Sequence, residues 1–153
     1  MKSKSMINLK DYNDRKEIIN LLAECMFSEE ERVVQEYEQY KNDQSRILLG
    51  RIENQKLVGL LGIVFQSDNE VELKHIAIKS SNRRQGLGTK LIMEFLKENH
   101  IRRIEAETDK DAVDFYRKIG FYITTLGEKY PGVERYKCIL INSKFIQEVR
   151  NFT

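Results

Sequence analysis

A basic, glycine-bearing segment near the middle of the chain carries the clearest chemical signal in this sequence. It reads Arg83-Arg84-Gln85-Gly86-Leu87-Gly88-Thr89 and lies between a predicted strand (residues 70–78) and a predicted helix (residues 87–99). A turn that leads into a helix N-terminus leaves several backbone N–H groups without partners, at the positive end of the helix dipole. Gly86 and Gly88 allow the backbone to approach a ligand closely. The segment therefore predicts a binding site for a phosphorylated ligand.

The charges around this segment also favour an anion. From residue 79 to residue 93 there is no acidic side chain, and the basic ones are Lys79, Arg83, Arg84 and Lys90. The whole 153-residue chain, in contrast, has 26 Lys and Arg against 24 Asp and Glu, a formal net charge of +2. This balance argues against nucleic-acid binding through bulk charge. The positive charge is therefore relevant because it is concentrated around this one segment.

Length and hydrophobic periodicity predict one mixed α/β domain over residues 1–153. The predicted strands cover residues 5–9, 46–53, 56–66, 70–78, 101–108, 121–126 and 133–141, and the predicted helices cover residues 11–26, 29–40, 87–99, 110–119 and a short tail, 142–153. Asn54-Gln55 is a turn signal typical of a hairpin. The helical crossover after residue 78 predicts that the next strand runs parallel to strand 70–78.

Two motifs, together with this order of elements, resemble the GCN5-related N-acetyltransferase (GNAT) superfamily. Arg83-x-x-Gly86-x-Gly88 matches that family's Q/R-x-x-G-x-G/A pattern for acetyl-coenzyme A. Phe115-Tyr116-x-Lys118-x-Gly120-Phe121, about 30 residues later, matches its helix-to-strand signature. Each motif alone is weak, but their joint occurrence around a helix and a strand is a strong signal. The resemblance covers essentially the full chain, although the first 60 residues match only in element order.

The resemblance implies a fold and a cofactor. The fold is a mixed, mostly antiparallel sheet with helices on both faces and a splayed parallel strand pair that binds acetyl-CoA. Amides from Arg84 to Thr89 would hold the pyrophosphate, and backbone groups of Ile76 and Ile78 the pantetheine arm. An N–H near Ile76–Ala77 would stabilise the oxyanion, worth about 2.7–4 kcal/mol. The implied cofactor-binding residues are Ile76, Ala77, Ile78, Arg83, Arg84, Gln85, Gly86, Leu87, Gly88, Thr89 and Asp109.

One of these residues departs from the family pattern. Many relatives carry Asn where this chain has Asp109. An aspartate caps the following helix equally well. It has no N–H to donate to the cofactor, so the resemblance implies a weaker contact there.

The implied reaction transfers an acetyl group to a primary amine by direct attack on the thioester. Glu72 occupies the position of the general base in the histone-acetylating branch, and Tyr116 that of the usual general acid. A carboxyl pKa is ordinarily about 4.3, so Glu72 would need burial or a water relay to accept the ammonium proton. Glu72 is alternatively a solvent-facing strand residue, and Tyr116 a buried aromatic. His75 is either a second base or a packed strand residue.

Other functions remain open at this level. Gly86-Leu87-Gly88 with Glu107 also suggests a dinucleotide-binding turn, but Leu91 stands where its third glycine belongs. A non-catalytic acyl-CoA-binding module would need neither Glu72 nor Tyr116. The acceptor is predicted to be a small-molecule amine, with a protein or peptide as the alternative. Several acidic residues either attract a cationic amine or form a solvated helix face: Glu24, Glu29, Glu30, Glu31, Glu36 and Glu38.

The remaining features restrict partners and location. Cys25 and Cys138 lack metal-ligand spacing, which indicates two buried free thiols in a reducing compartment and no metal site. The chain has no apolar run of transmembrane length and no secretory signal at its N-terminus. These features predict a cytoplasmic protein without membrane partners, and the closing strands 121–126 and 133–141 could pair between subunits of a homodimer.

Overall fold

The structure, a computed structural model, describes residues 6–142, which form four α-helices, two short 3₁₀ helices (Leu9–Asp11 and Ser80–Asn82) and seven strands. The helices are α1 (Arg15–Met26), α2 (Glu30–Asn42), α3 (Leu87–Glu98) and α4 (Val113–Ile119). The strands are β1 (Ile7–Asn8), β2 (Arg46–Glu53), β3 (Lys56–Phe65), β4 (Glu70–Ile78), β5 (Arg103–Asp109), β6 (Tyr122–Tyr130) and β7 (Val133–Ile141). The start of the predicted first strand and the predicted tail helix lie partly or wholly outside the described residues.

The seven strands form one mixed sheet in the order β1-β2-β3-β4-β5-β7-β6. All neighbours are antiparallel except β4 and β5, which are parallel as their helical crossover predicts. The β2–β3 hairpin turns at Asn54 and Gln55, whose φ values of 51° and 65° are those of the turn that matches strand twist. The predicted mixed, mostly antiparallel sheet is therefore confirmed.

Helices cover both faces of this sheet, because each helix has one apolar stripe to bury. Leu91, Ile92 and Phe95 of α3 pack with α4 against one face. Ile18 and Leu22 of α1 pack with α2 against the other. The α3 stripe is the one that its sequence spacing predicts.

The boundaries differ from the predicted ones where an aspartate binds backbone amides ahead of a helix. Asp14 accepts a hydrogen bond from the Glu17 amide, so α1 begins after it rather than at residue 11. The Asp109 carboxylate accepts from the amides of Asp111 and Ala112, at 3.0 Å each, and holds residues 109–112 in a turn before α4. The predicted cap of the helix by Asp109 is wrong, because α4 begins later and its N-cap is Ala112, without a side-chain cap bond. The predicted C-cap at Gly120 is confirmed by its φ of 115°.

In the part of the chain that the structure describes, no helix combines the length and apolarity needed to cross a membrane. Nor do residues 6–142 contain a group of three or more His, Cys, Asp or Glu side chains arranged to hold a metal ion.

Candidate active site

The sheet opens in its centre, between the two parallel strands. β4 and β5 pair only from Glu70 to Glu72, opposite Arg103 to Glu105. Beyond that point β4 stays paired with β3, and β5 stays paired with β7. A bulge in the β3–β4 register at residue 74 accompanies the separation. The inner edges of two strands are thus exposed to a gap that begins after Glu72.

The register decides which backbone groups of β4 face this gap. Residues of an antiparallel pair alternate between bonding to the partner strand and turning away from it. The Lys79 amide donates to the Val58 carbonyl at 2.8 Å, so Ala77, two residues earlier, also bonds to β3. Ile76 and Ile78 alternate with these residues and turn their N–H and C=O toward the gap. Of the three positions implied by the resemblance, two therefore face the gap with backbone groups and Ala77 does not.

The turn that follows β4 presents a row of backbone donors. Its Arg84 and Gly86 have φ values of 65° and 75°, and such left-handed residues curve successive N–H groups into a concave surface. Residues 83–84 form a hydrogen-bonded turn that uses the Gln85 amide, whereas within residues 6–142 the amides of Arg84 and from Gly86 to Thr89 donate to no other described group, and the first helical bond of α3 runs from Lys90 to Gly86 at 3.1 Å. The N-terminus of α3 has no side-chain cap. These donors suit an anionic ligand.

The two arginines of the turn have different surroundings. The Arg83 Nε donates to the Ile78 carbonyl at 2.9 Å, and its guanidinium lies 3.8 Å from the Glu24 carboxylate on α1. This side chain therefore ties the turn to the end of β4. Arg84 is exposed and has no partner among the described residues. Its guanidinium is the one in this turn that is available to a ligand.

The two glycines also differ. A Cβ on Gly86 would meet nothing within 4 Å, so this position faces open space. A Cβ on Gly88 would lie 3.2 Å from the ring of Phe115, which packs against the first turn of α3. Gly88 thus serves the contact between α3 and α4, a packing role that its position in the motif does not indicate.

Tyr116 lies on α4, with only 5% of its surface exposed. The rings of Phe115 and Phe121 stand edge-on to its ring, at centroid distances of 5.1 and 5.3 Å. Burial raises the pKa of its hydroxyl, and nearby ionisable groups that include Cys25 raise it further. The phenol is therefore protonated throughout the usual pH range, and its hydroxyl has no hydrogen-bond partner among the described residues.

Cys25 lies between this tyrosine and β4. Its thiol donates to the Leu22 carbonyl at 3.2 Å in the last turn of α1. Burial raises the pKa of the Cys25 thiol to about 11, and the Ile76 amide opposes that shift because it favours the thiolate. The thiol therefore faces the open edge of β4. Cys138 is a buried free thiol as predicted, but Cys25 is only half-buried, because the separated strands leave one side of it open.

A polar cluster lies on the face of the sheet that α1 and α2 cover, the same face as Cys25. The Tyr40 hydroxyl lies 2.6 Å from Nδ1 of His75, and Glu72 is close enough to raise the pKa of Tyr40. Gly62 makes room for this tyrosine, since a Cβ there would lie 2.1 Å from its hydroxyl. Glu72, half-buried, thus lies beside Tyr40 and His75 rather than alone on a solvated surface.

Sequence reasoning missed Tyr40 and Cys25 as members of this site. Val33, Tyr37 and Tyr40 follow the spacing of one helical face, which was the available signal that Tyr40 is buried. That spacing does not identify the strand that the helix meets.

Comparison with known proteins places these features in context. The model of the acetyltransferase (GNAT) family matches residues 15–121. The uncharacterized N-acetyltransferase in the lysA 3′ region of Bacillus methanolicus is 31% identical over 61 residues, 40% of this chain and 51% of that protein. The chain thus matches about half the length of this curated relative.

Two solved structures have the same fold. A crystal structure of aminoglycoside 6′-N-acetyltransferase complexed with coenzyme A is 20% identical, with a TM-score of 0.74 over 89% of this chain and 96% of that chain. The ribosomal-protein-S18-alanine N-acetyltransferase from Escherichia coli is 17% identical, with a TM-score of 0.71 over 90% and 92%.

Proposed function

The chain belongs to the acetyltransferase (GNAT) family, and from this premise we propose that it transfers an acetyl group from acetyl-CoA to a primary amine. The observation that supports this most directly is the gap beside β4. The unpaired amides of the turn before α3 and the outward backbone groups of Ile76 and Ile78 border this gap or its mouth. In this proposal the protonated Tyr116 phenol faces the same cleft, so that anion binding and proton donation come together.

The described residues fit acetyl-CoA as the cofactor. Amides from Arg84 to Thr89 and the Arg84 guanidinium would hold its diphosphate, and Ile76 and Ile78 its pantetheine arm. When bound, this cofactor supplies the acetyl group as an activated thioester. The Ile76 N–H, which adjoins the Cys25 thiol, would donate to the negative charge that develops on the acyl oxygen, and such a donor is worth about 2.7–4 kcal/mol. The Asp109 carboxylate already accepts hydrogen bonds from the amides of Asp111 and Ala112.

Two side chains would move the protons. The Tyr116 hydroxyl would donate to the departing sulfur, since its raised pKa keeps it protonated. Glu72 would accept the proton of the attacking ammonium, directly or through water. His75 is a weak base for this purpose, because burial lowers its pKa to about 4.

The acceptor is proposed to be a small-molecule amine. Among the structural neighbours, one is named for an aminoglycoside and the other for an alanine of a ribosomal protein, so a protein or peptide acceptor is the alternative. The cytoplasmic location, the single domain over residues 1–153 and the homodimer stay predictions.

The proposal is tested by mixing the purified protein with acetyl-CoA and a panel of primary amines while thiol release is measured. We expect release above the hydrolysis background for at least one amine, together with the acetylated product by mass spectrometry. No release for any amine would contradict the proposal. Calorimetric binding of CoA without turnover would instead support the non-catalytic module, and turnover confined to peptides would identify the alternative acceptor class.

A further inference from the structure

His75 is fixed in one tautomer by its contact with Tyr40. We assign the Tyr40 hydroxyl as the donor, because a neutral phenol O–H is the stronger donor and an imidazole nitrogen the stronger acceptor of such a pair. It donates to Nδ1 of His75 over 2.6 Å, and the two rings stand edge to face with centroids 5.7 Å apart. Burial also lowers the pKa of His75 to about 4, so the imidazole is neutral. Its one proton is therefore on Nε2.

This Nε2–H group retains some contact with solvent and has no hydrogen-bond partner among the described residues. Among residues 6–142, Nε of Arg51 is the side-chain polar atom that is both fully buried and without a partner. Nε2 of His75 also lacks a partner but is not fully buried. His75 lies on β4 beyond Glu72, where β5 no longer covers the strand, and next to Ile76, whose amide faces the gap. A neutral hydrogen-bond donor thus lies beside the proposed reaction centre.

The charged groups around His75 leave it neutral. Glu36 of α2 favours the imidazolium, whereas Lys74 of β4 and Arg46 of β2 oppose it. Glu36 is itself paired with Arg46 at 2.9 Å and with Lys74 at 3.7 Å. The cluster is balanced internally, and it supplies His75 with no counter-ion of its own.

We propose that His75 binds the acceptor, its Nε2–H donating to an oxygen that the substrate carries near its reacting nitrogen. The substrate class is then an amine with a neighbouring hydroxyl, ether or carbonyl oxygen. A purely aliphatic amine or polyamine has only nitrogen to offer. A site built around a hydrogen bond discriminates against analogues that lack the partner atom. Tyr40 is the positioning residue, because it holds the proton on Nε2. This inference rests on the proposed function.

Two substitutions separate the roles of the two imidazole nitrogens. His75→Asn keeps an acceptor near Nδ1 for Tyr40 but removes the outer donor, whereas His75→Gln retains an amide N–H near the position of Nε2. Each variant is assayed with amines matched in non-hydrogen atoms, such as 2-methoxyethylamine and butylamine, after correction for the neutral fraction of each amine. We expect His75→Asn to lower kcat/KM about five- to tenfold for the oxygenated amine, and His75→Gln to recover most of it.

A spectroscopic readout tests the positioning role separately from activity. Imidazole ¹⁵N shifts should report His75 as the neutral Nε2–H tautomer from pH 8 to pH 5. Tyr40→Phe should produce a mixture of tautomers and a higher His75 pKa, because the donor to Nδ1 is gone. A merely structural role of Tyr40 would leave the tautomer unchanged.

The outcomes distinguish the two proposals. Wild-type protein without thiol release on any amine would overturn the proposed function and this inference with it. Two kinetic results would overturn the inference alone. In one, the active wild type has the higher kcat/KM for the alkyl amine of each pair. In the other, His75→Asn lowers kcat/KM equally for both amines. An Nδ1–H tautomer in the wild-type spectrum would also overturn it.

Discussion

Tyr116 shows how burial alone can suit a side chain to proton donation. Its ring is enclosed by Phe115 and Phe121, and no described group takes its hydroxyl. The ionised form would lose hydration without gaining a partner, so the pKa rises. The same enclosure lets phenylalanine replace it without a cavity.

We expect Tyr116→Phe to lower kcat about 100-fold while the affinity for CoA stays within twofold, since only the proton donor is lost. Steady-state kinetics and calorimetry measure the two quantities. Tyr122→Phe, at an exposed β6 tyrosine, is the matched control. Because the Tyr116 pKa is raised, kcat should show no decline from its ionisation up to pH 10. Turnover equal to wild type would remove Tyr116 from the acid role.

The two arginines of the turn give a second residue-level prediction. Arg84→Gln should weaken CoA binding about five- to tenfold at low salt and less at high salt, because an exposed charge contact is screened. Its unfolding free energy should be unchanged, since the guanidinium has no partner in the described residues. Lys97→Gln, at the far end of α3, is the control for a lost positive charge. An unchanged CoA affinity in Arg84→Gln would contradict the assignment.

Cys25 offers a reporter beside the proposed pantetheine position. The thiolate is the reactive form and the thiol pKa is raised to about 11, so alkylation by iodoacetamide should accelerate roughly tenfold per pH unit from 7 to 10. Acetyl-CoA should slow the labelling, whereas adenosine 3′,5′-bisphosphate, which lacks the pantetheine arm, should not. Mass spectrometry measures the rate, with buried Cys138 as internal control. If acetyl-CoA left the labelling rate of Cys25 unchanged, the pantetheine arm would not lie beside this thiol.

At the scale of elements, α2 and β3 fit together through a missing side chain. The Tyr40 hydroxyl occupies the space that a Cβ of residue 62 would fill. A glycine in a strand interior ordinarily weakens the strand, so its presence here reflects this close approach. The contact sets the position of α2 over β4, and with it the position of His75.

We therefore expect Gly62→Ala to lower the free energy of unfolding by about 1–3 kcal/mol, because Tyr40 must leave its place. The urea midpoint measures this loss, and the ¹⁵N signature of His75 should change in the same variant. In a Tyr40→Leu background the added cost should shrink, because the obstructing hydroxyl is gone. Equal costs in both backgrounds would show that the contact is not the cause.

At the scale of the whole molecule, the neutral His75 makes stability depend on pH. Its pKa falls from an ordinary 6.5 to about 4 on folding, so the unfolded chain binds more protons between these values. The stabilising contribution is full above pH 6.5 and is lost as pH falls toward 4. Hydrogen bonds from Lys129 and Ser45 lower the pKa values of Glu107 and Asp43. The stability that these carboxylates contribute is lost only as the pH falls below the ordinary carboxyl pKa of about 4.

We expect the free energy of unfolding to decrease by about 3 kcal/mol from pH 7 to pH 4, mostly through His75. Urea titrations at intermediate pH values measure the slope. In His75→Gln the slope between pH 6.5 and 5 should be nearly flat. A slope that persists in this variant would assign the effect to other groups.

The sequence predictions are correct where the interactions are between residues close in the chain, and fail where they join distant elements. The α3 stripe, the hairpin turn at Asn54-Gln55 and the cap at Gly120 depend on neighbours a few residues away, and each was predicted correctly. The starts of α1 and α4 were predicted too early, because α1 begins only after the capping carboxylate of Asp14 and Asp109 holds residues 109–112 in a turn before α4. The roles of Arg83 and Gly88 depend on elements distant in the chain: the Arg83 guanidinium lies near Glu24 of α1, and the Phe115 ring of α4 packs where a Gly88 side chain would be. The motif does not reveal these contacts.

The sequence by itself determined the family, the order of elements and the position of the glycine-bearing turn for which we propose anion binding. These properties are local: periodicity, glycine at left-handed positions and charge within one segment. Only the tertiary structure decided that the backbone of Ala77 bonds to β3 and turns away from the gap, since strand register is set by pairing across the sheet. It also brought Cys25, Tyr40 and His75 together from three elements. Their chemistry arises from shared burial, which no single segment encodes.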